Sequence, residues 1–284
     1  MGLKMKAFKT TKFAGVLFLG ISCLWLLPSN ALAAKKIHKK RYVVTAKSAI
    51  LSNTTKPQRL YGKNAYLKVA PASTTKVMTA LLVLERLPLD KVIEVSRRAT
   101  LVAPTKAGLK AGERYTVADL LCAALMQSAN DASVVLAEAV AGSESQFVEL
   151  MNRRAKELGA KMTRFANPNG LPTKESQYTT AYDMMLIFKE ALKYPFFKET
   201  LSRKNKAIFS DEGRKITITS YNKLLWKNWR KTIYGKTGYT RKAKHCFIGY
   251  FEANGKTFIV GVFGCSRRWQ DIQHIITKYG GVRL

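Results

Sequence analysis

The strongest constraint on this fold is a change of periodicity along the chain. From Thr116 to about Tyr194 short helical segments follow one another, each with its own punctuation. Thr116-Val117-Ala118-Asp119 has the form of a capping box, in which a side-chain oxygen takes an orphan N–H of the first turn, and it opens a helix to about Gln127. Ser128-Ala129-Asn130 breaks that helix, and another runs from Asp131 to Ala141 and stops at Gly142. Ser143 with Gln146 opens a third, which ends before Gly159. Asn167-Pro168-Asn169-Gly170 is a turn, and Thr180 with Asp183 caps a fourth helix that ends at Pro195. This run predicts a compact all-helical cluster. Residues 42–52 and Leu60-Tyr61 before it, and 216–219, 246–251 and 258–263 after it, are apolar or β-branched and read as strands. Asn254-Gly255 is the hairpin turn between the last two. Residues 269–279 carry Ile272, Ile275, Ile276 and Tyr279 at helical spacing, which predicts a helix packed on the sheet rather than a membrane anchor. The fold class is mixed α/β.

The first 33 residues read as a secretory signal. Lys4, Lys6, Lys9 and Lys12 form a basic start, residues 13–27 an apolar run, and Ala31-Leu32-Ala33 a cleavage site. That run is short against the ~20 residues that span a bilayer, so cleavage before Ala34 is expected over retention as an anchor. Gly20-Ile21-Ser22 before Cys23 is a poor lipoprotein signal. Residues 34–41 form a basic leader, and 42–284 the folded domain. Lys and Arg number 49 against 18 Asp and Glu, a formal net charge of +31. Such a balance calls for anionic neighbours. Export removes nucleic acid from the candidates and favours an anionic wall polymer or a membrane surface. Cys122, Cys246 and Cys265 each lie in an apolar stretch and read as buried thiols rather than a disulfide framework. His38, His245 and His274 are isolated, with no metal-binding spacing around them, so neither a metal nor another cofactor is expected.

The chemistry begins at Pro71-Ala72-Ser73-Thr74-Thr75-Lys76, which precedes an almost wholly apolar helical run, 77–84. Residues three apart share a helical face, so Ser73 and Lys76 point the same way. A serine is a weak nucleophile until a base takes its proton. A lysine can be that base only if burial or a second cation lowers its pKa. Alone the pattern is weak, since Ser220-Tyr221-Asn222-Lys223 repeats it. Two later stretches strengthen it: Ser128-Ala129-Asn130 at a helix break, and Lys236-Thr237-Gly238 between Gly235 and Tyr239, just before the final hairpin.

Ser-x-x-Lys, Ser-x-Asn and Lys-Thr-Gly in that order form the motif set of penicillin-binding proteins and serine β-lactamases. From about Tyr42 to Val282 the chain resembles the D-alanyl-D-alanine carboxypeptidases among the low-molecular-weight penicillin-binding proteins. The likeness also covers Asp131-Ala132, Asn167-Pro168-Asn169-Gly170-Leu171, Thr180-Ala181-Tyr182-Asp183-Met184 and Tyr239-Thr240. It implies an antiparallel sheet flanked by helices, with the helical subdomain of about 116–194 beside it and the active site at their junction. It implies that Ser73 attacks a D-alanyl carbonyl of a peptidoglycan stem peptide, that Lys76 takes the hydroxyl proton, and that Ser128 relays a proton to the leaving amine. Asn130 would position the substrate amide and Lys76. Lys236, Thr237 and Gly238 would bind the terminal carboxylate, and Lys236 would also help to keep Lys76 neutral. The backbone N–H groups of Ser73 and Tyr239 would form the oxyanion hole. β-Lactams would acylate Ser73.

One departure stands beside the third motif. Where many members carry Ala-Gly, this chain has Ala243-Lys244, which puts the local backbone in question. Class A β-lactamases also need a glutamate for deacylation, and the nearest approach here, Glu149-Leu150-Met151-Asn152, falls inside an expected helix. The leading expectation is an exported carboxypeptidase of the periplasm or envelope exterior, with a D,D-endopeptidase and a non-catalytic β-lactam or peptidoglycan sensor as alternatives.

Overall fold

The computed structural model describes residues 42–55 and 58–284. The signal expected over 1–33 and the leader over 34–41 lie outside the described residues. In chain order the elements are β1 (Ser48–Asn53), β2 (Gln58–Lys63), a 3-10 turn (Ala72–Thr75) leading into α1 (Lys76–Arg86), β3 (Val92–Glu94), α2 (Arg97–Thr100), β4 (Arg114–Thr116), α3 (Val117–Met126) and α4 (Asn130–Ala141). Then come α5 (Glu144–Glu157), α6 (Ala181–Ala191), α7 (Pro195–Ser202), β5 (Asn205–Phe209), β6 (Lys215–Thr219), β7 (Tyr234–Thr240), β8 (Lys244–Ala253), β9 (Lys256–Cys265) and α8 (Arg268–Tyr279).

Five strands form one antiparallel sheet in the order β2-β1-β9-β8-β7, so strands from both ends of the chain meet at the β1–β9 pair. The period-2 alternation of β8 and β9 serves two cores. Ile248, Tyr250, Ile259 and Phe263 face the helices between α1 and α7, while Phe247, Phe251, Val260 and Val262 face α8. Ile272, Ile275 and Ile276 of α8 are wholly buried on that second face, each worth roughly 1.5–3 kcal/mol of apolar transfer. The helix expected at 269–279 is therefore a packing element of the sheet. The mixed α/β expectation holds, and β7 is an edge strand of the sheet.

The caps form as the residue pattern requires. Thr116 Oγ1 accepts from Asp119 N at 3.1 Å, Ser143 Oγ from Gln146 N at 3.2 Å and Thr180 Oγ1 from Asp183 N at 3.0 Å. Asn254 and Gly255 both take positive φ, as the β8–β9 hairpin needs. The three cysteines are buried and free. Three features differ from expectation. Pro195 opens α7 instead of ending the helical region, because the first helical position needs no N–H. Strand 216–219 pairs with an unforeseen partner, β5, as a separate two-stranded ribbon. Residues 42–47 precede β1 rather than extending it: Asp271, buried in α8, draws them in by accepting from Tyr42 Oη, Thr45 N, Thr45 Oγ1 and Ala46 N.

Candidate active site

Ser73 lies in the 3-10 turn and Lys76 is the first residue of α1, so the two share a face as their spacing requires. Ala72 before them has φ +49°, a left-handed conformation that costs a side-chain-bearing residue about 1–2 kcal/mol. The turn survives because the next layer is moulded to it. Gly170, at φ +84°, passes so close that a Cβ there would lie 1.9 Å from Ala72 O. On the other side a Cβ on Gly238 would come within 3.1 Å of Ser73 N. Ser73 is thus held between the 167–170 loop and the edge strand β7, with its side chain opening on a cleft.

Lys76 is wholly buried. Its Nζ lies 2.7 Å from Asn130 Oδ1, 2.9 Å from Asn169 O and 3.3 Å from Ser73 Oγ. The two carbonyl oxygens can only accept. A neutral amine spends its two N–H groups on them and turns its lone pair to the Ser73 hydroxyl. Burial first, and then the charge of Lys236, hold the Lys76 pKa well below its ordinary value. Both causes favour that neutral form.

Lys236, also wholly buried, donates to Ser128 Oγ at 3.0 Å and to Thr237 O at 2.9 Å. Burial and the nearby Arg268 guanidinium push its pKa down to about 7. Ser128 reaches Lys236 from a left-handed backbone, φ +66°, at the break between α3 and α4. Among the described residues, four of the six non-glycine residues with positive φ, namely Ala72, Thr105, Ser128 and Lys244, border this region, which is where stored strain belongs if it serves a site. Lys244, the departure noted in the sequence, keeps at φ +57° the backbone conformation that a glycine there would adopt freely. Asn130 Nδ2 donates to Pro104 O, so its amide is committed at both ends, to Lys76 and to the loop between α2 and β4.

The cleft has a volume of about 500 Å³. Ser73, Ser128, Thr237, Gly238 and Tyr239 open on it, with Lys76, Asn130 and Lys236 behind them. Every residue singled out from the three motifs is therefore brought together. The rival Ser220-Tyr221-Asn222-Lys223 also borders the cleft, through Ser220, Tyr221 and Lys223, while its Asn222 has a local task. Asn222 Nδ2 donates to Ile233 O, and Asn222 Oδ1 accepts from Leu224 N, which fixes the turn before β7. Glu149 is exposed on α5 and does not line the cleft.

Sequence reasoning missed three contributors. Asn169 acts through its backbone oxygen, which no residue type reveals. Asp131, wholly buried, accepts from Ala107 N, Gly108 N and Leu109 N and so pins the loop that carries Pro104 and Thr105. Arg268 lines the cleft from α8 and donates to Gly238 O at 3.3 Å and Cys246 O at 3.0 Å, with its own pKa lowered to about 10 by burial. Its position 32 residues after Lys236 carries no sequence signal.

Known proteins resemble this chain in sequence and in fold. The chain is 35% identical over 260 residues to the D-alanyl-D-alanine carboxypeptidase DacF of Bacillus subtilis, covering 90% of this chain and 66% of that protein. It is 32% identical over 205 residues to a D-alanyl-D-alanine endopeptidase of Pseudomonas aeruginosa, covering 71% of this chain and 65% of that one. The chain thus spans just under two thirds of the length of these two relatives. Among solved structures, a D-alanyl-D-alanine carboxypeptidase from Mycobacterium tuberculosis superposes with a TM-score of 0.78 at 28% identity, over 84% of this chain and 92% of that one. A Streptomyces DD-transpeptidase gives 0.78 at 26%, over 85% and 99%. The family model for D-alanyl-D-alanine carboxypeptidases matches residues 34–267. With its three motifs gathered on one cleft and most of its length matched, the chain belongs to the D-alanyl-D-alanine carboxypeptidase family.

Proposed function

We propose that this protein is an exported serine D,D-peptidase that removes the terminal D-alanine from peptidoglycan stem peptides through an acyl-enzyme on Ser73. The observation that carries the reading is the environment of Lys76: buried, satisfied by two acceptors, and turned to Ser73. Ser73 Oγ attacks the penultimate D-alanyl carbonyl carbon as its proton passes to Lys76. The backbone N–H groups of Ser73 and Tyr239 receive the developing oxyanion, usually the largest single term in acyl transfer. The C–N bond breaks as a proton reaches the leaving amine by way of Ser128, and water then cleaves the ester and restores Ser73. Asn130 fixes Lys76. Lys236, with Thr237 and Gly238, receives the carboxylate of the leaving residue, a charge-assisted contact stronger than a neutral one. β-Lactams acylate the same serine. An anionic polymer of the envelope is a second partner, drawn by the net positive charge.

Cleavage of crosslinks is the second reading, favoured by the similarity to an endopeptidase at almost the same identity as to DacF. Both reactions release an amine beside a free carboxylate on a D-centre, which Lys236 reads alike. Digestion of purified peptidoglycan, analysed by chromatography and mass beside a Ser73→Ala control, separates them. Loss of D-alanine from pentapeptides is the expected result. Conversion of dimers to monomers selects the endopeptidase. A penicillin adduct on Ser73 with no cleavage of either kind overturns the enzyme reading in favour of a sensor.

A further inference from the structure

One turn beyond Lys76, on the same face of α1, stands Thr79, buried and only 1% exposed. Ser73, Lys76 and Thr79 are spaced by threes, so their side chains form one row along the 3-10 turn and α1. Thr79 does not line the cleft. A threonine inside a helix commonly returns its hydroxyl to a carbonyl of the preceding turn. Thr79 Oγ1 instead donates to Pro168 O at 2.6 Å, 89 positions away. The next carbonyl, Asn169 O, is the one that accepts from Lys76 Nζ at 2.9 Å. Two successive peptide oxygens are thus met by two side chains of one helix.

Neighbouring peptide planes turn against each other through only two soft dihedrals, so fixing the Pro168 carbonyl restricts that of Asn169. The rest of the loop narrows the freedom further. Asn167 Oδ1 accepts from Gly170 N at 2.6 Å, Asn167 Nδ2 donates to Leu171 O at 2.8 Å, and Asn169 Oδ1 accepts from Leu171 N at 3.0 Å. These bonds brace the loop within itself. Among the described residues, the hydrogen bonds that tie it to α1 are those of Lys76 and Thr79.

We infer that Thr79 is a positioning residue: through Pro168 it holds the Asn169 carbonyl where that oxygen takes one N–H of Lys76, and so keeps the amine lone pair on the Ser73 hydroxyl. The inference rests on the reading of Lys76 as the base that takes the serine proton. An amine turns about its Cε–Nζ bond unless its hydrogens are held. Asn130 Oδ1 holds one at 2.7 Å, and the amine can still swing about that single contact. The second contact, to Asn169 O, fixes where the lone pair points. Without the Thr79 hydroxyl the loop carbonyl drifts and proton transfer from Ser73 slows. Initial binding of a ligand stays as it was, because Lys236 and Thr237 are untouched. The ammonium form of Lys76 loses more than the amine does, since the bond from a charged donor is the stronger. Lys76 therefore gives up its proton at lower pH. The charged groups that face it, Lys236 from β7 and Asp131 from α4, are the same in every variant.

The test compares Thr79→Val, which keeps the shape and removes the hydroxyl, with Thr79→Ser, which keeps the hydroxyl. Should the valine variant not fold, Thr79→Ala takes its place, because Ser and Ala leave the same space where the methyl was. A fluorescent penicillin gives the acylation rate constant and the dissociation constant of the initial complex separately. NMR of isotope-labelled lysine follows the titration of Lys76, whose resonance is identified by its loss in Lys76→Arg. Thr79→Val is expected to acylate about tenfold more slowly, the worth of one hydrogen bond, with initial binding within about twofold of the parent. Its Lys76 midpoint is expected to fall by about half a pH unit. Thr79→Ser is expected to stay within about threefold of the parent rate and to keep the parent midpoint. A midpoint that stays in place in Thr79→Val, a parent rate in that variant, or an equal loss in Thr79→Ser overturns the inference, because a residue that only packs the loop moves stability and leaves the lysine alone. A midpoint that moves as expected in a protein that forms no adduct on Ser73 refutes the peptidase reading and leaves the positioning of Lys76 standing.

Discussion

At the scale of single residues, the site is a problem of two buried lysines with opposite tasks. In the proposed reaction Lys76 takes the serine proton and must be neutral, whereas Lys236 receives a carboxylate and must be charged. Acylation therefore rises with pH as Lys76 loses its proton, and falls above about pH 7, where Lys236 loses its own. Arginine stays protonated across this range. The Lys236→Arg variant is expected to keep the acid limb of the profile and to move the alkaline limb up by more than 2 pH units, at a cost of about tenfold in maximal rate from altered geometry. Second-order acylation rates with a fluorescent penicillin from pH 5 to 10 provide the measurement; an alkaline limb that does not move removes Lys236 as its source.

At the scale of elements, the cleft depends on how α4 begins. Asn130 and Asp131 are its first two residues: one holds Lys76, and the other anchors the loop whose Pro104 and Thr105 carbonyls bind Asn130 in turn. Replacing Asp131 by Asn sets an amide N–H₂ against backbone donors. The expected cost is about 2–3 kcal/mol of stability, with acylation slowed about tenfold as Asn130 loosens. The acid limb should also move to lower pH, because the Asp131 charge favours protonated Lys76. Thermal melting beside the pH profile separates the effects, since a purely structural role leaves the limb in place. The same scale explains two misread elements. Pro195 signals either the end of one helix or the first turn of the next, and only the packing of Phe197 and Leu201 in the core selects the second. In β5 only Ile208 is fully buried, so its five residues show no clear alternation until β6 pairs with them.

At the scale of the whole molecule, the sheet joins the two ends of the described chain, and Asp271 secures the join. Its four accepted hydrogen bonds reach residues 225 to 229 positions away. Asp271→Ala is expected to destabilise by about 3 kcal/mol, since it strands buried donors, and Tyr42→Phe by about 1 kcal/mol. Urea denaturation measures both: the midpoint falls with an unchanged slope. Equal small losses would mean that solvent replaces the carboxylate.

Much of this was legible in the chain itself. Capping residues, alternation and the Asn254-Gly255 turn are local signals, because a helix end or a two-residue hairpin is decided by nearest neighbours. The three motifs name the groups that gather on the cleft, because hydroxyl, amine and amide carry their chemistry with them. What sequence could not determine was contact across distance. Lys76 and Lys236 are 160 positions apart, and it is burial in a shared interior that lowers both their pKa values. The carbonyl of Asn169, the guanidinium of Arg268 and the carboxylate of Asp131 join the site through the path of the backbone. Residue type sets what a group can do; the tertiary structure sets which groups meet, and how far from water they do so.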